Sequence, residues 1–314
     1  MGGGRVSTSQ VVAAIGDSIT AGFAIEGLPV ENKGESWAVG GGVGHVTLPN
    51  ILKHYSPNIT GASTGTHPMY TTAGFNMAIS GNNVSRLMAQ SKKLVAALES
   101  SAQVNMKEDW KVLTVFIGIN DLRIGCQSKP DPLWTHEADF YEKQLAAVFT
   151  FLRASIPRVF VNLVGLLHLS SITTASGIAE HCQVQHYATE IECPCCFHNA
   201  SYMREVRGEF NARMQKIAAA WASRDLHDFA VVWQPMMTDY SIPDWTYMSR
   251  FDCFHYSKAW HADAAEDVAL KICNTVQSHL GTASLNPLDS HTMRTISLLC
   301  PEISMVLRSF GSQR

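Results

Sequence analysis

The sequence predicts an α/β fold, a three-layer α/β/α sandwich built on a mainly parallel sheet of five strands. Five short apolar runs alternate along the chain with longer segments of helical spacing. The runs are almost continuously apolar, which is typical of strands that helices cover on both faces. Helical crossovers join neighbouring strands in parallel. Apolar residues make up 46% of the chain and charged residues 16%, so the composition favours a globular protein over a disordered one.

The predicted elements follow this alternation in order. The strands are residues 10–16, 75–80, 112–119, 159–167 and 229–233. The helices are residues 85–98, 138–154, 203–224 and 258–280. The second helix stops ahead of Pro157, because the residue before a proline disfavours the helical conformation.

The alternation predicts a single domain at residues 9–281, followed by a C-terminal tail at 282–314. A glycine-rich loop at 27–44 and a polar, cysteine-rich insertion at about 170–201 interrupt the regular order. The length of 314 residues allows one large domain or two small ones. We favour one, because the strands and helices continue without a linker between them.

Charge argues against a nucleic-acid partner, and hydropathy argues against a membrane-spanning helix. The formal net charge of −3 gives no electrostatic case for nucleic acid. No apolar run reaches the roughly 18–20 residues of a membrane-spanning helix.

No secretory signal is visible ahead of the first strand, as in a cytosolic protein or a shortened chain. Eight cysteines and three sequons, at Asn58, Asn83 and Asn199, favour an oxidising compartment instead.

The cysteine-rich insertion has three possible explanations. Four of the eight cysteines lie between Cys182 and Cys196, and Cys193 and Cys196 have CxxC spacing. A zinc knot or a thioredoxin-like redox site would use this spacing. We favour a loop stapled by disulfides, whose pairing the sequence does not choose. For Cys253, farther along the chain, we expect a bond to Cys273 in the following helix.

Three polar or glycine positions come directly after predicted strands. Ser18, Gly81 and Asn120 follow the first, second and third strand. Ligands of parallel sheets bind beyond the carboxyl ends of the strands. These positions therefore bring a hydroxyl, a backbone N–H and a side-chain amide to one edge. Such a set suits nucleophilic attack on an ester, with N–H groups that stabilise the oxyanion.

A base for such a nucleophile comes from far along the chain. Asp252 and His255 lie three residues apart, between the fifth strand and the last helix. This spacing lets the carboxylate accept from one ring nitrogen while the other faces Ser18. Each part alone has an ordinary structural explanation, such as a turn, a helix cap or one of 13 histidines. The order and placement of all four favour catalysis.

These four blocks together resemble the SGNH, or GDSL, family of lipases and esterases. In this chain the blocks are Gly16-Asp17-Ser18-Ile19, residues 76–81 (NMAISG), Gly118-Ile119-Asn120-Asp121 and Asp252-Cys253-Phe254-His255. Within that family the chain is most similar to the animal-type phospholipase B enzymes. The resemblance covers about residues 11–280.

The resemblance implies a flavodoxin-like sheet and a role for each matched residue. Ser18 would be the nucleophile, with Asp252 and His255 as the other catalytic residues. The oxyanion hole would consist of Ser18, Gly81 and Asn120. The implied reaction removes acyl chains from glycerophospholipids and lysophospholipids through an acyl-serine intermediate. It allows action at a membrane surface. It implies no metal or organic cofactor and, together with the cysteine content, an extracellular or membrane-associated protein.

Two other functions stay open at the level of the sequence. A carboxylesterase for short or sugar-linked acyl groups would share the same residues. A catalytically silent lipid-binding or interaction protein is disfavoured, because Ser18, Asn120, Asp252 and His255 are all intact.

Overall fold

A computed structural model of the chain confirms the predicted α/β fold. It describes residues 10–54, 56–126, 135–182, 190–236 and 238–281. Within these ranges the sheet has four parallel strands in the order β1-β2-β3-β4. The strands are β1 Gln10–Gly16, β2 Trp110–Phe116, β3 Val159–Val164 and β4 Phe229–Gln234. Their register aligns Ala14, Thr114, Asn162 and Val232 across the sheet.

Helices connect the strands and cover the sheet in two layers. They are α1 Ser18–Ala21, α2 Leu48–Lys53, α3 Leu87–Ser100, α4 Ile119–Gly125, α5 Thr135–Ser155, α6 Ile178–His181, α7 Pro194–His198, α8 Ala200–Ala222 and α9 Lys258–Gly281. One layer holds α3 against β1 and α5, and α8 against α5 and β4. In the other layer, α9 contacts α2 and β4. Every residue of β1 and β3 is buried, as expected for strands covered on both faces.

The second predicted strand, residues 75–80, is not confirmed, so the described sheet has four strands and not five. This segment runs beside the outer edge of β1, where Ala14 donates to the Phe75 carbonyl at 3.0 Å and accepts from the Met77 N–H at 2.9 Å. The Asn76 side chain, however, accepts from the Ala78 N–H and donates to a carbonyl of α1. Such local side-chain bonds compete with a regular ladder. The segment is therefore an irregular edge that ends at the turn of Gly81.

Two further predictions concern the ends of the chain and its membrane character. The predicted tail, residues 282–314, lies outside the described residues, and the single domain at 9–281 stays a prediction. Among the described residues, no helix combines the length and the apolar character that a membrane crossing requires.

Candidate active site

Ser18 begins α1 directly beyond β1, at a sharp strand-to-helix turn. The Asp17 carboxylate caps this helix by accepting from the Ile19 N–H at 3.0 Å. Gly16 leaves no room for a side chain, because a Cβ there would lie 2.4 Å from the Phe116 carbonyl oxygen. The turn therefore packs tightly on β2 and holds Ser18 at the carboxyl edge of the sheet.

The loop between β4 and α9 brings His255 to Ser18. The Nε2 atom of His255 lies 2.8 Å from Ser18 Oγ, and its Nδ1 atom lies 2.6 Å from Asp252 Oδ2. The second carboxylate oxygen accepts from the backbone N–H groups of Phe254 and His255, both at 3.0 Å. A proton on Nδ1 faces the carboxylate, so Nε2 is the ring nitrogen left to accept the serine proton.

The three side chains are almost shielded from solvent, with exposures of 6% for Ser18, 5% for Asp252 and 7% for His255. Burial by itself raises the pKa of Asp252. The charge of His255 and hydrogen bonds from its ring and from the backbone outweigh this effect, and hold the pKa below its ordinary value. An ionised carboxylate at neutral pH can therefore stabilise an imidazolium at His255.

His261 contrasts with His255 only six residues away. It is 2% exposed, and its Nδ1 accepts from the Trp37 N–H at 3.3 Å. Burial lowers its pKa to about 3, helped by the nearby His255. His261 is therefore a neutral structural histidine at physiological pH.

Asn120 lies in the first turn of α4, the helix that follows β2. Its Oδ1 accepts from Arg123 Nε at 2.7 Å, and its Nδ2 donates to the Asn82 carbonyl at 2.8 Å. A guanidinium only donates, so the Oδ1 atom must face Arg123 and the NH₂ group must face the turn at Asn82. The NH₂ group carries a second hydrogen for an oxyanion.

Gly81 belongs to the turn that faces Asn120. Its φ of +79° is left-handed, whereas a Cβ there would meet no atom within 4 Å. Backbone conformation, and not lack of space, therefore makes glycine the favoured residue. The Asp121 carboxylate accepts from the Val84 N–H at 3.1 Å and ties this turn to α4. Burial raises the pKa of Asp121 to about 6.

The structure thus brings Ser18, Asp252 and His255 into one hydrogen-bonded chain, and joins Asn120 to the turn that begins at Gly81. Sequence reasoning missed the residues that support them. Gln90 of α3 accepts from the Gly16 N–H and donates to the Gly16 carbonyl, both at 2.8 Å, and the same carbonyl also accepts from the Ile79 N–H at 3.3 Å. In the sequence, a glutamine on the apolar face of a predicted helix was the signal that could have identified Gln90. The sequence held no comparable signal for the contact of Arg123 with Asn120.

The cysteine-rich segment is stapled by disulfides, as we favoured. The three bonds are Cys126–Cys195, Cys182–Cys253 and Cys193–Cys196. Their sulfur atoms are therefore not thiolates that could bind zinc. The two CxxC cysteines are buried, at 0% and 3% exposure, whereas a redox pair needs access to its partner thiol.

Our expectation of a Cys253–Cys273 bond was wrong. Cys253 bonds to Cys182, 71 residues back along the chain. Cys182 comes directly after α6, and Cys253 lies between the Asp252 and His255 of the candidate site. The cysteine-rich segment thus holds that loop through a covalent bond between residues distant in sequence.

A family model matches most of the chain. Residues 12–268 match the model of the GDSL-like Lipase/Acylhydrolase family. The chain belongs to this family. Its membership makes the chain a carboxylic ester hydrolase by class.

The chain is also similar to named relatives and to solved structures. The chain is 31% identical to "Phospholipase B1, membrane-associated" of Rattus norvegicus and to the protein of the same name from Homo sapiens, over 95% of its own length. It spans about one fifth (21%) of the length of these relatives. Phospholipase A1 from Streptomyces albidoflavus NA297 aligns in structure with 82% of this chain and 97% of its own, at 12% identity and a TM-score of 0.45.

Proposed function

We propose that the chain is a serine ester hydrolase in which Ser18 is the nucleophile, His255 the general base and Asp252 the residue that orients the base. The observation that carries this proposal is the continuous hydrogen-bonded chain from Asp252 Oδ2 through the imidazole to Ser18 Oγ, with distances of 2.6 and 2.8 Å. Both distances lie in the range for proton transfer.

In the first half of the reaction, Ser18 Oγ attacks the acyl carbonyl carbon while His255 Nε2 takes the hydroxyl proton. The carbonyl oxygen becomes an oxyanion, for which the N–H groups of Ser18 and Gly81 and the Asn120 amide are the donors. The imidazolium then protonates the leaving alcohol oxygen, and an acyl-serine remains.

In the second half, a water molecule attacks the acyl-serine. His255 Nε2 takes one of its protons, and the same donors stabilise the second oxyanion. When this intermediate collapses, the ester bond to Ser18 breaks and the proton returns to Ser18 Oγ. The products are a fatty acid and the unmodified enzyme.

As substrates we propose glycerophospholipids and lysophospholipids. The names of the relatives, matched along 95% of this chain, support this class. Phe251 is 42% exposed and contacts Phe23, whose ring lies 4.7 Å from that of His255. A cavity of about 300 Å³ beside this loop has a mixed lining, with apolar Ile25 and Trp245 and charged Arg250 and Lys258 among its residues. The exposed Phe251 ring near the base suits an acyl chain.

The same proposal includes the surroundings of the enzyme. Three disulfides support an extracellular or membrane-associated location, because such bonds persist in oxidising compartments. We place the activity in one hydrolase domain, residues 9–281.

The test compares the wild-type protein with Ser18→Ala. Both receive a phospholipid with two distinguishable acyl chains and, separately, a short-chain nitrophenyl ester. We expect the wild type to release fatty acid from the phospholipid and Ser18→Ala to lose at least about 1,000-fold in turnover on both substrates. Ser100→Ala, which changes an exposed helix-end serine, should match the wild type.

Each contrary result has a distinct meaning. Cleavage of the nitrophenyl ester alone would favour a carboxylesterase and overturn the phospholipid substrate. Equal turnover by the wild type and Ser18→Ala would overturn the assignment of the nucleophile. Absence of turnover in both would favour a catalytically silent lipid-binding protein.

A further inference from the structure

A fully buried ion pair lies in the loop between α1 and α2. Glu31 Oε2 and Lys33 Nζ are 3.0 Å apart, and both side chains have an exposure of 0%. Removing two charges from water is unfavourable, and their attraction rarely makes such a pair more stable than apolar residues of the same volume. Stability alone therefore does not explain why this pair is buried here, and its contacts with the rest of the site indicate another role.

One set of contacts leads to the segment that precedes Gly81. Glu31 Oε1 accepts from Ser80 Oγ at 2.6 Å and from the Ser80 N–H at 3.4 Å. Lys33 Nζ donates to the Ala78 carbonyl at 3.3 Å. The Gly81 N–H belongs to the peptide group that joins Ser80 to Gly81. Bonds that hold Ser80 and Ala78 in place therefore also hold the direction of this N–H.

A second set of contacts leads to the helix of the nucleophile. Between the two charged residues, the Asn32 N–H donates to the carbonyl of Gly22, which ends α1, at 2.7 Å. Phe23, the next residue, forms an antiparallel bridge with Glu31. Residues 31–33 thus bind both the end of α1 and the irregular edge at 78–80.

We propose that Glu31 and Lys33 are positioning residues that hold the Gly81 N–H at the correct distance from Ser18 for oxyanion binding. The proposal rests on the function proposed above. Neither side chain touches the reacting atoms. An oxyanion donor acts only when its geometry is fixed before the reaction, and the edge that carries Gly81 lacks a regular strand ladder to fix it.

The test measures turnover and transition-state affinity in Glu31→Gln and Lys33→Met. A soluble nitrophenyl ester gives kcat and KM, and an alkylboronic acid, which forms a tetrahedral anion on the nucleophilic serine, gives an inhibition constant. We expect kcat to fall about 10- to 100-fold, KM to stay within about twofold, and the boronic acid to bind more weakly by a similar factor. Partial unfolding would lower the concentration of active enzyme and leave the inhibition constant unchanged.

Ser80→Ala extends the test if the charged variants fail to fold. It removes the hydroxyl that Glu31 accepts from, and leaves the ion pair itself intact. We expect kcat and boronic acid affinity to fall together about three- to tenfold, with KM unchanged.

Lys111→Met is the matched control. Lys111 is also a buried lysine, at 1% exposure, and it donates to the carbonyls of Met106 and Pro157 near the amino end of β2. This variant should lose stability and keep the wild-type inhibition constant. Unchanged boronic acid affinity in Ser80→Ala and in whichever charged variants fold would overturn the positioning role. Failure of the proposed function is seen separately, as turnover that persists in Ser18→Ala.

Discussion

The two halves of the candidate active site are held in different ways. Ser18 sits just beyond the carboxyl end of β1, and Gln90 and Asp17 bond to the backbone on either side of it. His255 sits in a loop that the Cys182–Cys253 disulfide ties to a distant segment. Within that loop, Ser249 donates to the carbonyl of Ala24, a residue just after α1, at 2.6 Å.

The difference shows which part of the site depends on strand pairing and which on long-range links. The position of Ser18 follows from the parallel pairing of β1 with β2, because this pairing places the residues after β1 at the carboxyl edge of the sheet. The position of His255 follows from one covalent bond and a few hydrogen bonds. We therefore expect the acid–base loop to be the more easily disturbed half.

The largest expected effect tests the acid–base loop directly. Asp252→Asn replaces the carboxylate that accepts from Nδ1, so the ring would take the other tautomer and present a proton to Ser18. We expect kcat to fall about 10,000-fold with KM little changed. Steady-state kinetics on a soluble ester measures this. A loss below tenfold would mean that the backbone alone holds the imidazole in its working state.

The second prediction removes the covalent link to that loop. Cys182→Ser combined with Cys253→Ser opens a loop of 71 residues, so the free energy of unfolding should fall by about 4 kcal/mol. We also expect kcat to fall at least tenfold, because the loop that aims His255 is loosened. Urea denaturation and ester kinetics give the two quantities.

Cys193→Ser combined with Cys196→Ser is the control for this prediction. Its bond spans a separation of only 3 residues, so about 2 kcal/mol of stability should be lost. Turnover should stay near that of the wild type. Equal losses of kcat in the two double variants would contradict a specific link between Cys182 and the acid–base loop.

The third prediction concerns the sheet-edge half, at Asn120. Arg123→Met removes the donor that fixes the Asn120 amide, so the NH₂ group is less often aimed at the oxyanion. We expect kcat to fall about tenfold, less than the roughly 100- to 1,000-fold typical for removal of a donor itself. Arg123→Lys keeps the charge beside Glu192 but not the Nε donor. A wild-type kcat in both variants would show that the amide is held without Arg123.

The smallest expected effect is a dependence of stability on pH at the same edge. Burial raises the pKa of Asp17 from 3.8 to about 7. The folded state therefore binds a proton that the unfolded state has released, and stability falls as the pH rises between about 4 and 7. Between pH 6 and 8 this group should lower the free energy of unfolding by about 1 kcal/mol.

Asp17→Asn tests this dependence, because asparagine also caps a helix but does not titrate. Urea denaturation at pH 6 and pH 8 should show a smaller decrease for the variant than for the wild type. Parallel curves would mean that the carboxyl does not titrate in this range.

Local patterns in the chain were enough to predict β1, the long helices and the residues that come directly after strands. Apolar runs and helical spacing report burial within one element, and the carboxyl ends of parallel strands meet at one edge whatever the remaining contacts are. The positions of Ser18 and Asn120 followed from this. So did the pairing of Asp252 with His255, since three residues separate them.

Tertiary structure decided the features that join segments far apart in sequence. The partner of Cys253, the Arg123–Asn120 bond and the buried pair of Glu31 and Lys33 depend on which loops meet, and no local spacing records that. The segment at 75–80 has an apolar pattern that favours a strand, yet the bonds of Asn76 to its surroundings outweigh that preference. Strand and helix propensities depend on residues that are neighbours in sequence, whereas these contacts join segments that are far apart in sequence. Where the two disagree, the folded structure adopts the arrangement with the lower total free energy.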